Sequence, residues 1–200
     1  MRTPLQSRST SSADRMLDAT LELLGAGGLQ AVTVAAVARA AGTSNGSLYH
    51  RFGDRTGLLL AAQDRALDEI ESATAAAFAL ADEEPDDRRA IALLVSAALG
   101  IFESHRPAMR AFLVESQGVA AFEARNVRSS HLLARTVVEW LVARFGTARA
   151  DAEATYRILF ALGATHALFD DEQVSPGRVS RAALADAVTR AIEAIVRPVP

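Results

Sequence analysis

The chain has 200 residues, 50% of them hydrophobic and 22% charged, so it can bury a globular core and is not an intrinsically disordered tail. It contains no cysteine, which excludes a disulfide framework, a thiolate metal site and a cysteine nucleophile. The longest uncharged apolar stretch, residues 90–102, is too short to cross a bilayer, and the N-terminus lacks the apolar core of a secretory signal. We therefore expect a cytoplasmic protein without a membrane partner.

Charge is unevenly distributed along the chain. Residues 1–65 carry 7 arginines and 5 acidic residues, a net charge of +2, whereas residues 66–200 carry 14 arginines and 19 acidic residues, a net charge of −5. Because residues 1–65 are weakly basic and residues 66–200 are acidic, contact with a polyanion is expected only through the N-terminal part of the chain. Alanine supplies 42 positions, and this composition favours helix because alanine loses no side-chain entropy there.

The first quarter of the chain predicts three helices in succession. Ser11 and Asp14 have the spacing of a capping box and begin the first helix, which a glycine-rich stretch at 25–28 ends. Thr33 caps the second helix and Ser44 caps the third, with a glycine turn between them.

A long helix follows, and helices continue to the end of the chain. Asp54 caps the long helix, whose apolar residues recur every three or four positions up to residue 80, and an acidic connector covers 82–87. The remaining helices are predicted at 88–104, from Pro107, and at 122–145, 151–169 and 180–196. Because no segment alternates like a strand, the predicted fold class is all-α.

Residues 33–52 carry the informative pattern. Small residues at Ala38 and Ala41 let two short helices pack closely across the turn at Gly42, while Leu48 and Phe52 face inward. The opposite side of the third helix then presents small and polar groups, which fit a major groove where Asn and Ser hydrogen-bond base edges. These groups are Asn45, Gly46, Ser47 and His50, and Tyr49, His50, Arg51 and Arg55 surround them within reach of phosphates. On this topology alone, a helical hairpin with a solvated polar face is the simpler interpretation.

The complete residue pattern favours a DNA-binding domain over a solvated helical hairpin. Residues 33–52 read T-V-x-x-V-A-x-A-A-G-x-S-x-G-S-L-Y-x-x-F, followed by Asp54, Arg55 and Leu58. This string closely resembles the DNA-binding domain of the tetracycline-repressor (TetR) family of bacterial transcription regulators, over about residues 12–62. The resemblance implies a helix-turn-helix DNA-binding domain at 1–53, with 1–11 as a flexible arm. It also implies an α-helical effector-binding and dimerisation domain at 54–200.

The resemblance also implies roles for individual residues. Thr33 would start the second helix and bind a phosphate, Asn45 to Ser47 would touch bases, and Tyr49 and His50 would contact the DNA backbone. Arg55 would hold a phosphate at the start of the fourth helix. The expected DNA-binding set is Thr33, Thr43, Ser44, Asn45, Gly46, Ser47, Tyr49, His50, Arg51 and Arg55.

Three positions depart from the family pattern. Thr43 replaces a usually apolar turn residue, which predicts looser packing there, and Asn45 replaces a frequent basic residue, which favours adenine-type readout over phosphate attraction. Gly57 stands where an acidic or other helix-favouring residue is common, which predicts a weaker first turn of the long helix.

The acidic remainder is expected to hold an effector pocket and a dimer interface, because a single recognition helix contacts too few bases for useful specificity. Candidate pocket residues are Phe78, Phe102, Met109, Phe112, Trp140 and Phe160, whose apolar character favours an apolar effector. Candidate interface residues on the last two helices are Leu159, Leu162, Gly163, His166, Leu184, Val188, Ile192 and Ile195. Ordinary core packing is the alternative for both sets.

The sequence thus predicts a homodimeric DNA-binding transcriptional regulator, a repressor that leaves double-stranded operator DNA when a small, mainly apolar effector binds. The alternative is a helical protein-interaction adaptor, or a small-molecule-binding protein without a DNA function. An enzyme is not expected, since the four histidines are scattered and no nucleophile elbow, P-loop or metal-binding pair occurs. We predict no catalytic residue, cofactor or metal.

Overall fold

The computed structural model describes residues 11–197, and within that range the chain forms ten α-helices, one π-helical segment and no β-strand. The all-α prediction is confirmed. The α-helices are α1 (Ser12–Ala31), α2 (Val34–Ala40), α3 (Asn45–Phe52), α4 (Arg55–Glu83), α5 (Asp87–Ser104), α6 (Arg106–Met109), α7 (Ala120–Phe145), α8 (Arg149–Leu168), α9 (Asp171–Val174) and α10 (Arg181–Val196). The π-helical segment, Arg110–Glu115, follows α6 directly. The expected arm at 1–11 lies outside the described residues except for Ser11.

The chain divides into two compact units, an N-terminal unit of residues 1–65 and a C-terminal unit of residues 66–200. The division falls inside α4, whereas the functional boundary expected from the sequence, between residues 53 and 54, lies just before this helix. That functional boundary stays a prediction.

Side-chain caps begin the three helices of the N-terminal unit. Ser11 and Asp14 form the expected capping box at α1. At α2 the Thr33 hydroxyl accepts the N–H of Ala36 at 3.1 Å, and at α3 the Ser44 hydroxyl accepts the N–H of Ser47 at 3.2 Å. Because each cap satisfies an amide that the helix leaves without a partner, these contacts fix where α1, α2 and α3 start.

The core of the N-terminal unit joins all four of its helices. Its buried side chains include Met16, Leu24, Val32, Val37, Ala38, Leu48, Leu58 and Leu59. The glycine-rich stretch interrupts α1 and does not end it as the sequence predicted: Gly25 stays helical, the backbone departs from the helix at Gly27 and at Gly28, where φ is +64°, and the element continues to Ala31. A left-handed φ of this kind strains any residue with a Cβ, so glycine is required at Gly28.

The core of the C-terminal unit is built mainly from α5, α7, α8 and α10. Its buried members include Ile91, Val95, Leu99, Val138, Leu141, Ala152, Ile192 and Val196. Trp140 packs edge-to-face against the rings of Phe78 and Phe145, both with ring centroids 5.6 Å away. Its indole N–H donates to Asp82 at 2.7 Å, so the polar edge of the ring is satisfied.

Arg144 holds the end of α4 and the start of α5 against α7. Its guanidinium donates to the Asp87 carboxylate at 2.8 Å and to the carbonyl oxygens of Ala81 at 2.8 Å and Glu84 at 2.6 Å, and it lies over the ring of Trp140. The side chain of Arg144 is only 15% exposed, so these hydrogen bonds are largely shielded from water. We expect Arg144→Ala to lower the free energy of unfolding by about 2–4 kcal/mol, because it leaves two carbonyls and a carboxylate without this donor.

Urea unfolding followed by circular dichroism measures this loss. The matched control is Arg135→Ala, which removes an exposed arginine from the same helix and should change the free energy of unfolding by less than about 0.5 kcal/mol. An Arg144 variant as stable as the control would show that the three hydrogen bonds contribute nothing net.

Arg125 bridges two carboxylates of α4, donating to Glu71 and Asp68 at 2.7 Å each. Burial acts to raise the pKa of Glu71, but the Arg125 guanidinium and the neighbouring Ser129 hydroxyl outweigh it and hold that pKa below its ordinary value of 4.5. A carboxylate whose pKa is lowered by folding stabilises the protein above its unfolded pKa, and this stabilisation is lost as the pH falls through the folded pKa. We expect Glu71→Gln to flatten the loss of stability below pH 4.5, measured by urea unfolding across acid pH. The control Glu139→Gln changes an exposed carboxylate, and the free energy of unfolding of this variant should fall with decreasing pH as steeply as that of the parent chain.

Candidate nucleic-acid interface and ligand cavities

The third helix has the two faces that the sequence predicts. Leu48 is 2% exposed and Phe52 is half-buried, so they anchor α3 to the rest of the N-terminal unit. The opposite face carries polar and small groups open to solvent. Nine of the ten predicted DNA-binding residues are exposed, namely Thr33, Ser44, Asn45, Gly46, Ser47, Tyr49, His50, Arg51 and Arg55, and Thr43 is half-buried. Their contact with DNA stays a prediction.

The electrostatics of this face suit a polyanion. No acidic residue occurs between Glu22 and Asp54, a stretch that includes Arg39 and Arg51. The Thr33 hydroxyl accepts a helix amide and keeps its own proton for an outside acceptor such as a phosphate oxygen. Residues 23–53 therefore offer hydrogen-bond donors and positive charge, while the nearby carboxylates come from outside this stretch: Asp14 lies within electrostatic range of Arg51, and Asp54 precedes Arg55.

Arg55 has a role that the sequence did not indicate. Its Nε donates to the carbonyl oxygen of Val32 at 2.6 Å, and one terminal nitrogen donates to the carbonyl oxygen of Leu29. The first turn of α4 is thereby tied to the last turn of α1 and to the residue that follows it. Two guanidinium nitrogens thus bind carbonyl groups of the N-terminal unit itself, and the contact of Arg55 with a phosphate stays a prediction.

The junction between α3 and α4 is tighter than the sequence indicated. Asp54 accepts the N–H of Gly57 at 2.8 Å, as expected of a capping residue. A Cβ placed on Gly57 would lie 2.0 Å from the carbonyl oxygen of Phe52, a separation that no side chain tolerates. Gly57 is therefore needed for this approach, and its expected weakening of the first turn of α4 stays a prediction.

Two apolar cavities lie within the C-terminal unit, with volumes of about 140 and 90 Å³. All six predicted pocket residues line at least one of them. Phe78 and Trp140 line the larger cavity, Met109 and Phe112 line the smaller one, and Phe102 and Phe160 line both. Binding of an effector there stays a prediction.

The residues predicted for a dimer interface lie mostly against the core of their own chain. Leu159, Leu162, Leu184 and Val188 pack on it, and Ile192 belongs to it. Gly163 is buried, and a Cβ there would lie 2.6 Å from the ring of Phe102, so its small size serves a contact within the chain. His166 and Ile195 are half-buried. Their part in a dimer interface stays a prediction.

Several cavity residues were not predicted. Ile70, Leu133 and Tyr156 line the larger cavity, and Asn126 and Ser129 line the smaller one. The sequence could have indicated Asn126 and Ser129, because two polar residues three positions apart lie on the same face of a helix. Within residues 11–197, no group of three or more potential ligands could hold a metal ion, and no helix is long and apolar enough to cross a membrane.

Comparison with known proteins agrees with this geometry. Residues 16–62 match the profile of the bacterial regulatory proteins of the tetR family. The HTH-type transcriptional regulator BetI of Burkholderia thailandensis is 33% identical over 141 residues, which is 70% of this chain and 70% of BetI.

Solved structures share the fold. A transcriptional regulator from Rhodococcus sp. Rha1 superposes with a TM-score of 0.75 at 23% identity, covering 95% of this chain and 100% of that one. The regulator FadR of Bacillus subtilis, solved in complex with stearoyl-CoA, superposes with a TM-score of 0.69 at 15% identity over 93% of this chain and 98% of FadR.

Proposed function

Because this chain belongs to the tetR family of bacterial regulatory proteins and is a DNA-binding transcriptional regulator, we propose that it is a repressor released from its operator by a small, mainly apolar effector. The observation that carries the DNA-binding half of the proposal is the exposed face of α3. This face opposes the buried anchor Leu48 and lies in a stretch without acidic residues.

We assign base reading to the N-terminal half of α3. Asn45 and Ser47 supply the hydrogen-bonding groups that read base edges in a major groove, and Gly46 lets the backbone approach closely. Thr33, Tyr49, His50 and Arg51 surround this end and would hold phosphates, which position the helix without reading sequence. The proposed division of labour is direct readout by three residues and positioning by the rest.

The effector half of the proposal rests on the two apolar cavities. FadR, which shares this fold, was solved in complex with stearoyl-CoA, and this supports the binding of an effector by a protein of this fold. An effector acts by population shift, since it binds more tightly to the conformation that fits the operator poorly. No chemical step is needed for release, and we propose that the chain is not an enzyme.

We propose that the chain forms a homodimer through exposed stripes on α8 and α10, so that two copies of α3 reach two half-sites. The α8 stripe recurs at helical spacing and comprises Ala154, Ile158, Ala161, Thr165 and Leu168. The α10 stripe comprises Ala183, Ala187, Ala191 and Ala194. Small side chains let helix axes approach closely, so paired stripes of this kind suit a four-helix interface.

The dimer proposal predicts the effect of a charge in the α10 stripe. Ala187→Arg places a large cation in the middle of a closely packed interface, and we expect the mass in solution to fall from dimer to monomer. Light scattering with size-exclusion chromatography measures it. The exposed control Ala143→Arg on α7 should remain a dimer. A dimeric Ala187 variant that is folded by circular dichroism would place the interface elsewhere.

Fluorescence anisotropy with a labelled duplex from the region upstream of the protein's own coding sequence tests the function as a whole. We expect binding that weakens steeply with salt, because phosphate contacts release counterions. A compound that fills the cavities should lower the affinity for the duplex. An adaptor without a DNA function would show no affinity for any duplex at any salt concentration, and that result would contradict the proposal.

A further inference from the structure

The two cavities of the C-terminal unit share one wall. Five side chains line both of them: Ile70, Ile101, Phe102, Leu133 and Phe160. A side chain that lines both cavities has a cavity on each side of it. The two cavities are therefore separated by a layer of side chains, and no backbone element is required between them. The separation is therefore as movable as those side chains.

Neither cavity alone matches an ordinary effector site. The larger, at about 140 Å³, has the size of an apolar cavity that holds a single benzene molecule, and the smaller, at about 90 Å³, holds less. Sites for typical small molecules occupy roughly 300–1,000 Å³. A ligand larger than one ring must therefore extend through the shared wall.

Phe102 is the member of the wall whose ring packs against a glycine. Its ring lies over Gly163, where a Cβ would come within 2.6 Å of the ring, so the ring rests on a backbone surface without a side chain to hold it. Phe102 is half-buried and packs at the margin of the core. Rotation of this ring would open a continuous path from the larger cavity to the smaller one.

The lining limits the chemistry of the ligand. Among the described residues, none of those lining either cavity is charged, so a buried carboxylate or ammonium group would have no counter-ion. Three nearby polar groups already have partners: Tyr156 donates to the carbonyl oxygen of Ser130, Asn126 to that of Phe112, and the Thr155 hydroxyl to that of Asp151. The hydroxyl of Ser129, 2% exposed on the wall of the smaller cavity, has no partner at hydrogen-bond distance, although it lies near enough to the Glu71 carboxylate to help lower that pKa.

We propose that one elongated, uncharged aliphatic molecule occupies both cavities, with Phe102 turned aside. Its single hydrogen-bonding end group binds the Ser129 hydroxyl in the smaller cavity, and its unbranched tail extends past the ring into the larger one. The claim that this molecule is the effector rests on the proposed function. Its binding to the cavities can be tested without DNA.

Trp140 makes the test direct, because it is the only tryptophan in the chain and it lines the larger cavity. Its fluorescence is followed during titration with hexanol, octanol, decanol and dodecanol. If the two cavities act as one site, binding tightens about fourfold for each added methylene through the whole series, with one molecule bound per chain by calorimetry. If the larger cavity alone takes the ligand, the gain stops once that cavity is full, and the proposal fails.

A matched pair of variants separates one site from two. Ala164→Leu adds bulk to the smaller cavity and Ala98→Leu adds it to the larger one, both at half-buried positions. For a single extended site, each variant weakens dodecanol binding by at least tenfold, to a similar extent. For two independent sites, tryptophan-detected binding responds to Ala98→Leu alone, and this would overturn the proposal. Circular dichroism of the free variants establishes that both are folded.

The end group is tested with Ser129→Ala. This variant should bind octanol about threefold to tenfold more weakly than the parent chain while binding octane equally well, because only octanol has a partner for the hydroxyl. Equal loss for both ligands would refute the assigned end-group site.

If the alcohols bind as described without lowering the affinity for DNA, the effector role fails while the binding site stands. If no alcohol binds but another compound releases DNA, the binding proposal fails alone.

Discussion

Gly57→Ala is expected to lower the free energy of unfolding of the N-terminal unit by about 3 kcal/mol and to abolish DNA binding. The added Cβ would lie 2.0 Å from the carbonyl oxygen of Phe52. A backbone oxygen cannot rotate away as a side chain can, so the α3–α4 junction itself must move. Phe52 is also an anchor of α3, and its displacement would tilt the helix that carries the base-reading residues.

Hydrogen exchange of the α1–α3 amides reports this loss locally, and anisotropy reports DNA affinity. The neighbouring Thr56→Ala is the matched control, since it changes an exposed side chain in the same helical turn and should leave both readouts unchanged. Normal amide protection in the Gly57 variant would mean that the junction relaxes easily and does not fix α3.

Ser47→Glu is expected to abolish DNA binding without unfolding the protein, and this separates the role of the surface from the role of the fold. Ser44 already caps α3 by accepting the N–H of Ser47, and a glutamate at this position completes a capping box. Its negative charge also suits the N-terminus of the helix, so α3 should be as stable as before or more so. The same charge would face the phosphates and base edges of a duplex and should weaken binding by at least a hundredfold.

The uncharged Ser47→Gln supplies the control, because glutamine completes the same capping box without the charge. We expect it to retain far more DNA affinity than the glutamate variant at low salt. Were Ser47→Glu to bind DNA as tightly as the parent chain, the N-terminal half of α3 would not be the contact surface.

The local features of the N-terminal unit were predictable from the sequence because their causes are local. Ser11, Thr33, Ser44 and Asp54 each cap a helix within three residues of their own position, so spacing alone identifies them. The inward direction of Leu48 follows in the same way from helical periodicity.

Features that depend on contacts with distant residues, or on the exact path of the backbone at a junction, were not predictable. Arg55 bonds carbonyls more than twenty residues away, and only the packed structure shows that Gly57 meets the Phe52 carbonyl. Propensity treats Gly57 as a weakness, although packing makes it a requirement.

The C-terminal unit illustrates a second limit. Helix α8 carries two apolar stripes, one through Leu159 and Leu162 and one through Ile158 and Ala161, and periodicity cannot tell which faces the chain's own core. The stripe through Leu159 and Leu162, which the sequence predicted for the dimer interface, packs partly buried against the core of the chain itself. The π-helical segment could not be predicted either. The N–H of Ser116 donates to the carbonyl oxygen of Ala111, five residues earlier, and no residue type in the sequence indicates this spacing.

Selection of bound sequences from a pool of random duplex DNA tests the central claim most directly, because it presupposes neither operator nor effector. The claim is that the exposed face of α3, from Asn45 to Arg51, reads a duplex. We predict enrichment of an inverted repeat by the parent chain, and no enrichment by the Ser47→Glu variant under the same conditions. Failure of the parent chain to enrich any sequence, or enrichment of the same sequence by both proteins, would contradict it.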